Sequence, residues 1–594
     1  MKSRSAVFLL TFAGFLSGMP QAIGQETEAR KLTDWFKAYI EKVMSDEPMT
    51  ATRLGDHRYD DRLEELSPDA RKARLDRDKS ALADLKKSID PKKLELADRV
   101  DFEILARHLE SRIWLTENFR TYEEDPRVWG DYLTESVYLL LVQSTLPKEK
   151  NFENALKRMK AIPAVVETAR NTIGNPPKVK TETAILQTRG AIDFYTREIY
   201  LITGRKTDDV ELKAATEPVV AALKKHLAFL TEQVLPRSGE NWRVGRELFA
   251  KKLDYDLDSG LTAAEVLAEA EKEAEQVERE MFVIARQMWS QAYPGVVIPP
   301  DDPKGRRETI AKALAATAKV HGSPETLVTD AKATVADITK FIRARDILRL
   351  PEPDRCAIIE MPEFMRGNSV AYLNPAPPLD ILARSEYAIS PPPADWTAQR
   401  VESFLGEYNA AMLKVLTIHE AYPGHYVQLE YANRVPSLIR RVLGSGTYSE
   451  GWAVYTERMM LDQGFGEGDL ALRLNQLKFY LRAVCNAILD HKMHCSGMTD
   501  EEARALLMDR AFQTEGEAVG KIIRSKQSSA QLSTYFVGRT AFHRLRQAVQ
   551  REQGEKFDIG RFHEAVLEQG SVSVKYLPEL VRDRLQRPRA VSVN

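Results

Sequence analysis

Cysteine is scarce in this chain of 594 residues: only Cys356, Cys485 and Cys495 are present. No C-x-x-C spacing occurs, so neither a cysteine zinc site nor a disulfide scaffold can be built. One bridge, Cys485 to Cys495, could form in an exported protein; two reduced core thiols fit the sequence as well. Charge of either sign is not in excess. With 85 Lys and Arg against 87 Asp and Glu, a formal net charge of −2 and no long basic block, the composition argues against a dedicated nucleic-acid binder. Long apolar runs are missing beyond the N-terminus, where nothing approaches the ~18 consecutive apolar residues of a membrane span. Strand-type alternation is rare, and no repeat of roughly 20–50 residues is evident. The apolar fraction of 43% is ordinary, which excludes a disordered chain and allows a sizeable core.

What is present begins with a leader-like stretch. Lys2 and Arg4 precede an apolar run from Ala6 to Met19, and Ala22-Ile23-Gly24 offers small residues for cleavage, so residues 1–24 read as a secretory signal. The expected location is periplasmic or secreted, with no stable membrane insertion after cleavage. The rest reads as helices. Thr262 and Glu265 form a capping box ahead of Val266, Ala270, Ala274, Val277 and Met281 at helical spacing, and Thr499 with Glu502 repeats the start signal. Proline clusters at 293–304 and 351–393 mark loops or joints, with a short strand or two in the second. The expected organisation is a single mainly α unit over 25–594: a scaffold half at 25–350, a Pro-rich connection at 351–400, and a catalytic half at 401–594.

Six of the ten histidines lie in the last third, and two of them stand in His419-Glu420-Ala421-Tyr422-Pro423-Gly424-His425. Upstream, Tyr408, Met412 and Val415 lead to His419 at helical spacing. A zinc peptidase needs two neutral imidazoles on the metal and a carboxylate beside them to take a proton from water. The usual H-E-x-x-H places its histidines one turn apart. Here the second histidine comes at i+6, about 240° around an ideal helix and facing away from the first. Pro423 breaks the helix by removing an N–H and clashing with the carbonyl four residues back, and Gly424 tolerates the backbone that results. Such a break could swing His425 back toward His419. The competing reading is a pair of hydrogen-bonded core histidines at a helix break.

A third ligand is expected in Glu450-Gly451-Trp452-Ala453. Glu450, Val454, Glu457 and Leu461 share one helix face, so Glu450 reads as a ligand and Glu457 as the group that orients it; a solvent-facing acidic pair is the alternative.

With these motifs, the sequence resembles the bacterial proteins grouped as domain of unknown function 885, which look like divergent gluzincin metallopeptidases. Gln428 adds to the first motif. Leu54-Gly55-Asp56-His57-Arg58, Arg482 with Asp490 and His494, Gln531 with Tyr535 and Gly538, and Phe562-His563-Glu564 with Gly570 extend the match over nearly the whole mature chain. Departures occur at Lys492, Ser525 and Phe536. The resemblance implies a large helical fold with a deep central channel, like that of thimet oligopeptidase and angiotensin-converting enzyme, and at most a few short strands. It further implies one Zn2+ held by His419, His425 and Glu450, with Glu420 as base. Tyr535 is the first candidate for the oxyanion donor, with His494 and His563 as alternatives, and Arg524 suits a substrate carboxylate. The expected activity is zinc-dependent hydrolysis of short or unfolded peptides. A hydrolase of a non-peptide amide and a helical binding protein with a vestigial site are the alternatives.

Overall fold

The computed structural model describes residues 27–361 and 370–588; the leader expected at 1–24 lies outside them. The chain is mainly α-helical, with three short strands, β1 (Cys356–Glu360), β2 (Ala371–Asn374) and β3 (Ser385–Ile389), all within the Pro-rich connection. β3 is central. It pairs parallel with β1 and antiparallel with β2, which puts β2 at an edge of the sheet.

The capping boxes form as expected, at Thr262/Glu265 and at Thr499/Glu502. The first starts the helix Ala263–Ala292, whose Val266, Ala270, Ala274, Val277 and Met281 are all buried. That stripe packs against the helix Leu470–Cys495, and each large side chain so removed from water contributes ~1.5–3 kcal/mol. Cys485 and Cys495 are both free thiols on this one helix. Ten residues of helix separate them by about 15 Å, more than twice what a disulfide spans.

The N-terminal motif at 54–58 has a mechanical role. Gly55 has a φ of +84°, and a Cβ there would lie 2.7 Å from Cβ of Asp380, so only glycine lets this turn meet the connection. The Leu379 N–H donates to the Leu54 carbonyl at 2.8 Å. His57 lies between Asp60 (2.8 Å) and Asp380 (3.1 Å), whose carboxylate also accepts from Thr145. Nearby, the Gln143 amide reaches Asn374 at the end of β2 at 2.5 Å. The N-terminal half therefore braces the segment that carries the edge strand.

Candidate metal centre

The helix Ala410–Glu420 delivers His419 in its last turn. Tyr408, expected on the same helix, caps the preceding one, Ala398–Glu407, because Asn409 interrupts them and caps the new helix by accepting from the N–H groups of Ala411 and Met412. After Glu420 the chain leaves the helix, passes Tyr422-Pro423 with a cis peptide, and starts a second helix, His425–Arg434. The break at Pro423-Gly424 is thus real. Gly424 is obligatory in it: a Cβ would lie 1.9 Å from the His419 carbonyl oxygen and 2.3 Å from that of Ile418. The indole N–H of the buried Trp452 donates to the Pro423 carbonyl at 2.8 Å and fastens the break to the helix Gly446–Asp462.

That helix supplies Glu450. Its Oε2 lies 3.5 Å from Nε2 of His425 and 3.9 Å from Nε2 of His419, and the two imidazole rings stand perpendicular with centroids 4.8 Å apart. One ligand atom from each of the three side chains falls within 4.8 Å of the others, a spacing at which a single metal ion could touch all three. Glu457, two turns after Glu450, is fully buried and meets Nδ1 of His419 at 2.7 Å. It therefore orients His419, not Glu450 as the sequence reading had it. A proton held on Nδ1 by this carboxylate leaves the Nε2 lone pair for a metal.

His419, His425 and Glu450 sit, together with Glu420, on the wall of a cavity of about 450 Å3, in the place of the expected channel. Leu416, Leu429, Val454 and Phe479 supply apolar surface there, while Glu420, Arg482, Lys521, Arg524 and Tyr535 supply polar groups. Glu420 accepts from the Leu373 N–H of β2 at 3.1 Å, which links the base candidate to the edge strand. Burial raises the pKa of Glu420 above the ordinary carboxylate value, against the pull of His425. Burial, reinforced by neighbouring His425, pushes His419 down to about 3, so this ring is neutral. For Glu450 burial acts the other way, but its bonds to His425 and Tyr535 outweigh it and lower the pKa.

Tyr535 reaches this wall through a close helix crossing. A Cβ on Gly451 would lie 2.3 Å from Cα of Gly538, and one on Gly538 would lie 2.0 Å from the Thr447 carbonyl oxygen. The helices Gly446–Asp462 and Thr534–Gln553 thus touch backbone to backbone, bringing Tyr535 beside Glu450. Arg524, exposed at the cavity mouth, donates to Gln531 at 2.6 Å and lies 3.4 Å from the Tyr535 hydroxyl.

His494 and His563 are not brought to the cavity. Nδ1 of His494 accepts from the Val244 N–H at 3.4 Å, and Nε2 donates to the carbonyls of Ser525 (2.9 Å) and Ser528 (3.0 Å). Four residues earlier, Asp490 accepts from Ala530 N–H and Ser533. Together they hold the turn before Tyr535, where Ala530 has a φ of +67°. His563 is fully buried between the Tyr455 hydroxyl and the Ile347 carbonyl, each at 2.8 Å. With both nitrogens engaged, neither ring can serve as an oxyanion donor. The departures at Lys492, Ser525 and Phe536 also lie off the cavity wall: Lys492 pairs with Glu271, Ser525 bonds Ile522, and Phe536 is core. Lys521 escaped the sequence reading, because a lone lysine on a helix carries no spacing signal.

Fold and site together define a mainly α-helical protein with a candidate metal centre of two histidines and a glutamate on a cavity wall. Residues 48–581 match the profile of a family described as "Bacterial protein of unknown function (DUF885)", and the chain belongs to that family. It is similar to a solved structure entitled a "putative lipoprotein of unknown function" from Shewanella oneidensis, at 30% identity and a TM-score of 0.80, covering 93% of this chain and 99% of that one. A second, a "putative lipoprotein" from Colwellia psychrerythraea, shares the fold at 18% identity and a TM-score of 0.76, covering 95% of this chain and 100% of that one. No curated protein matches the chain. Among the described residues, no helix is long and apolar enough to cross a membrane.

Proposed function

We propose that the chain is an exported zinc-dependent hydrolase, most simply a peptidase of short or unfolded peptides, built on a divergent gluzincin plan. The observation that carries this reading is the convergence of His419, His425 and Glu450 within 4.8 Å, with Glu420 beside them on one cavity wall. Two imidazoles and a carboxylate, one imidazole backed by a buried glutamate, form a donor set suited to zinc. A zinc ion held there supplies a Lewis acid for an amide carbonyl and for water. Glu420 takes the proton from the attacking water and returns it to the leaving nitrogen. Tyr535 donates a hydrogen bond to the charge that develops on the carbonyl oxygen, and Arg524 at the mouth attracts a substrate carboxylate. Export draws support from the leader pattern at 1–24 and from the lipoprotein titles of the two solved relatives.

Metal analysis of protein purified without chelator tests the centre, and digestion of an unbiased peptide library by the metal-replete protein tests the chemistry. One zinc per chain and chelator-sensitive cleavage are expected. Absence of any stoichiometric divalent ion would sink the enzyme reading, and turnover of a small non-peptide amide with no peptide cleaved would move the substrate class.

A further inference from the structure

The helix Glu515–Gln527 puts Lys521 on the cavity wall with only 7% of its surface exposed. Among the described residues, no hydrogen bond or ion pair holds its ammonium. The neighbouring cations do not relieve this. Arg482 is paired with Glu517 at 3.1 Å, while Arg524 has only the neutral partners Gln531 and Tyr535. Two side chains of the wall, Lys521 and Arg524, thus carry cationic groups with no carboxylate of their own. Burial, then Arg482 and Arg524, hold Lys521 well below the ordinary lysine pKa against the weaker pull of Glu517 and Glu450, and an arriving anion would favour its charged form. Burying an ammonium without a partner is costly, and a ligand anion is the direct remedy. At about 450 Å3 the cavity suits a small ligand or one end of a chain.

We propose that Lys521, with Arg524 at the mouth, forms a carboxylate subsite that seats the free C-terminal carboxylate of a peptide. The bond to be cut then lies over His419, His425 and Glu450, and the protein releases C-terminal fragments by exo-cleavage. This rests on the hydrolytic reading of that triad for the cleavage, but not for the binding. The apolar walls at Leu416, Leu429, Val454 and Phe479 receive the side chains between the carboxylate and the triad.

The test is calorimetric binding to full-length, zinc-loaded Glu420→Gln protein, which keeps the cavity and should not turn over. The probes are N-acetyl-trialanine as free acid, the same peptide as C-terminal amide, and N-acetyl-Ala-Ala-Glu amide, whose only carboxylate is in the side chain. The free acid should bind at least ~30-fold more tightly than its amide, the scale of truncating one partner of a buried charge pair. Adding Lys521→Gln should erase that preference, and Lys521→Arg should restore most of it, which separates lost charge from lost folding. Equal binding of all three probes, or a preference that survives Lys521→Gln, would overturn the subsite. Binding of the glutamyl amide as tight as the free acid would keep the carboxylate subsite and overturn exo-cleavage. In parallel, wild-type protein is offered acid and amide peptides. Cleavage of both at one rate would leave the hydrolase standing without the subsite, whereas discrimination in binding without any cleavage would leave the subsite standing without the hydrolase.

Discussion

Glu420 and Glu457 are both glutamates near His419, yet their surroundings assign them opposite duties. Glu420 lines the cavity, and among the described residues its carboxylate is tied by the Leu373 N–H of β2 at one oxygen, leaving the other for a proton in transit. Glu420→Gln keeps shape and hydrogen bonding but cannot accept that proton; kcat should fall at least ~100-fold while one zinc per chain is retained, as read by turnover and metal analysis on the same sample. Unchanged turnover would remove Glu420 from the chemistry. Glu457 never faces the cavity and acts through Nδ1 of His419. Glu457→Ala should weaken zinc affinity by about 10–100-fold in a competition titration with a chelating dye, with a smaller effect on kcat at saturating metal. At this scale the sequence was legible where chemistry needs fixed spacing: His419, Glu420, His425 and Glu450 all reach one wall. It was not legible for His494 and His563, whose ring nitrogens are consumed by backbone groups and, for His563, the Tyr455 hydroxyl, all far away in the sequence. Lys521 was hidden for the opposite reason, since its meaning lies in what fails to surround it.

Two close approaches fix how the helices present these side chains. The His419 and His425 helices can meet at their sharp break only because Gly424 has no Cβ, and the Glu450 and Tyr535 helices can cross only because Gly451 and Gly538 have none. In each case the obstructing atoms are backbone, which cannot swing aside as a flexible side chain would. Gly538→Ala should therefore cost at least ~1–3 kcal/mol by chemical denaturation. It should also lower zinc affinity, because parting the helices displaces Glu450 while leaving His419 and His425 in place. An alanine at 538 that left both the denaturation midpoint and the zinc affinity unchanged would show that the crossing is not what sets Glu450. The break was readable from the sequence because Pro423 and Gly424 are adjacent and an i+6 spacing demands a distortion. The crossing was not, since Gly451 and Gly538 are far apart in the chain and nothing local pairs them. Helix starts were legible for the physical reason that caps are local: the side chains of Thr262 and Thr499 satisfy N–H groups three residues on.

Across the whole molecule, the N-terminal half is coupled to the site through the connection it braces. His57 links Asp60 to Asp380, Gln143 holds Asn374 at the end of β2, and the residue just before Asn374 in that strand is Leu373, whose N–H donates to Glu420. The bond from Asp60, helped by Asp380 against partial burial, raises the pKa of His57 above its ordinary value. A histidine whose pKa is higher folded than unfolded contributes stability in full below its unfolded value of about 6.5, and that contribution is lost as pH rises through the folded value. Burial lowers the pKa of Arg158, 3.8 Å from Asp60, to about 10, still above this range, so its charge leaves the sign unchanged. The difference in unfolding free energy between wild type and His57→Ala should therefore be greatest near pH 6 and should shrink toward pH 9, leaving at high pH only the packing of the ring and its neutral hydrogen bonds. At pH 6 the loss should reach ~1.5–3 kcal/mol, the scale of a hydrogen bond to a charged group. Denaturant melts of both proteins at pH 6, 7.5 and 9 decide it: a difference independent of pH would make His57 a neutral packing residue and cut the pH-sensitive tie between the N-terminal half and the strand beside Glu420.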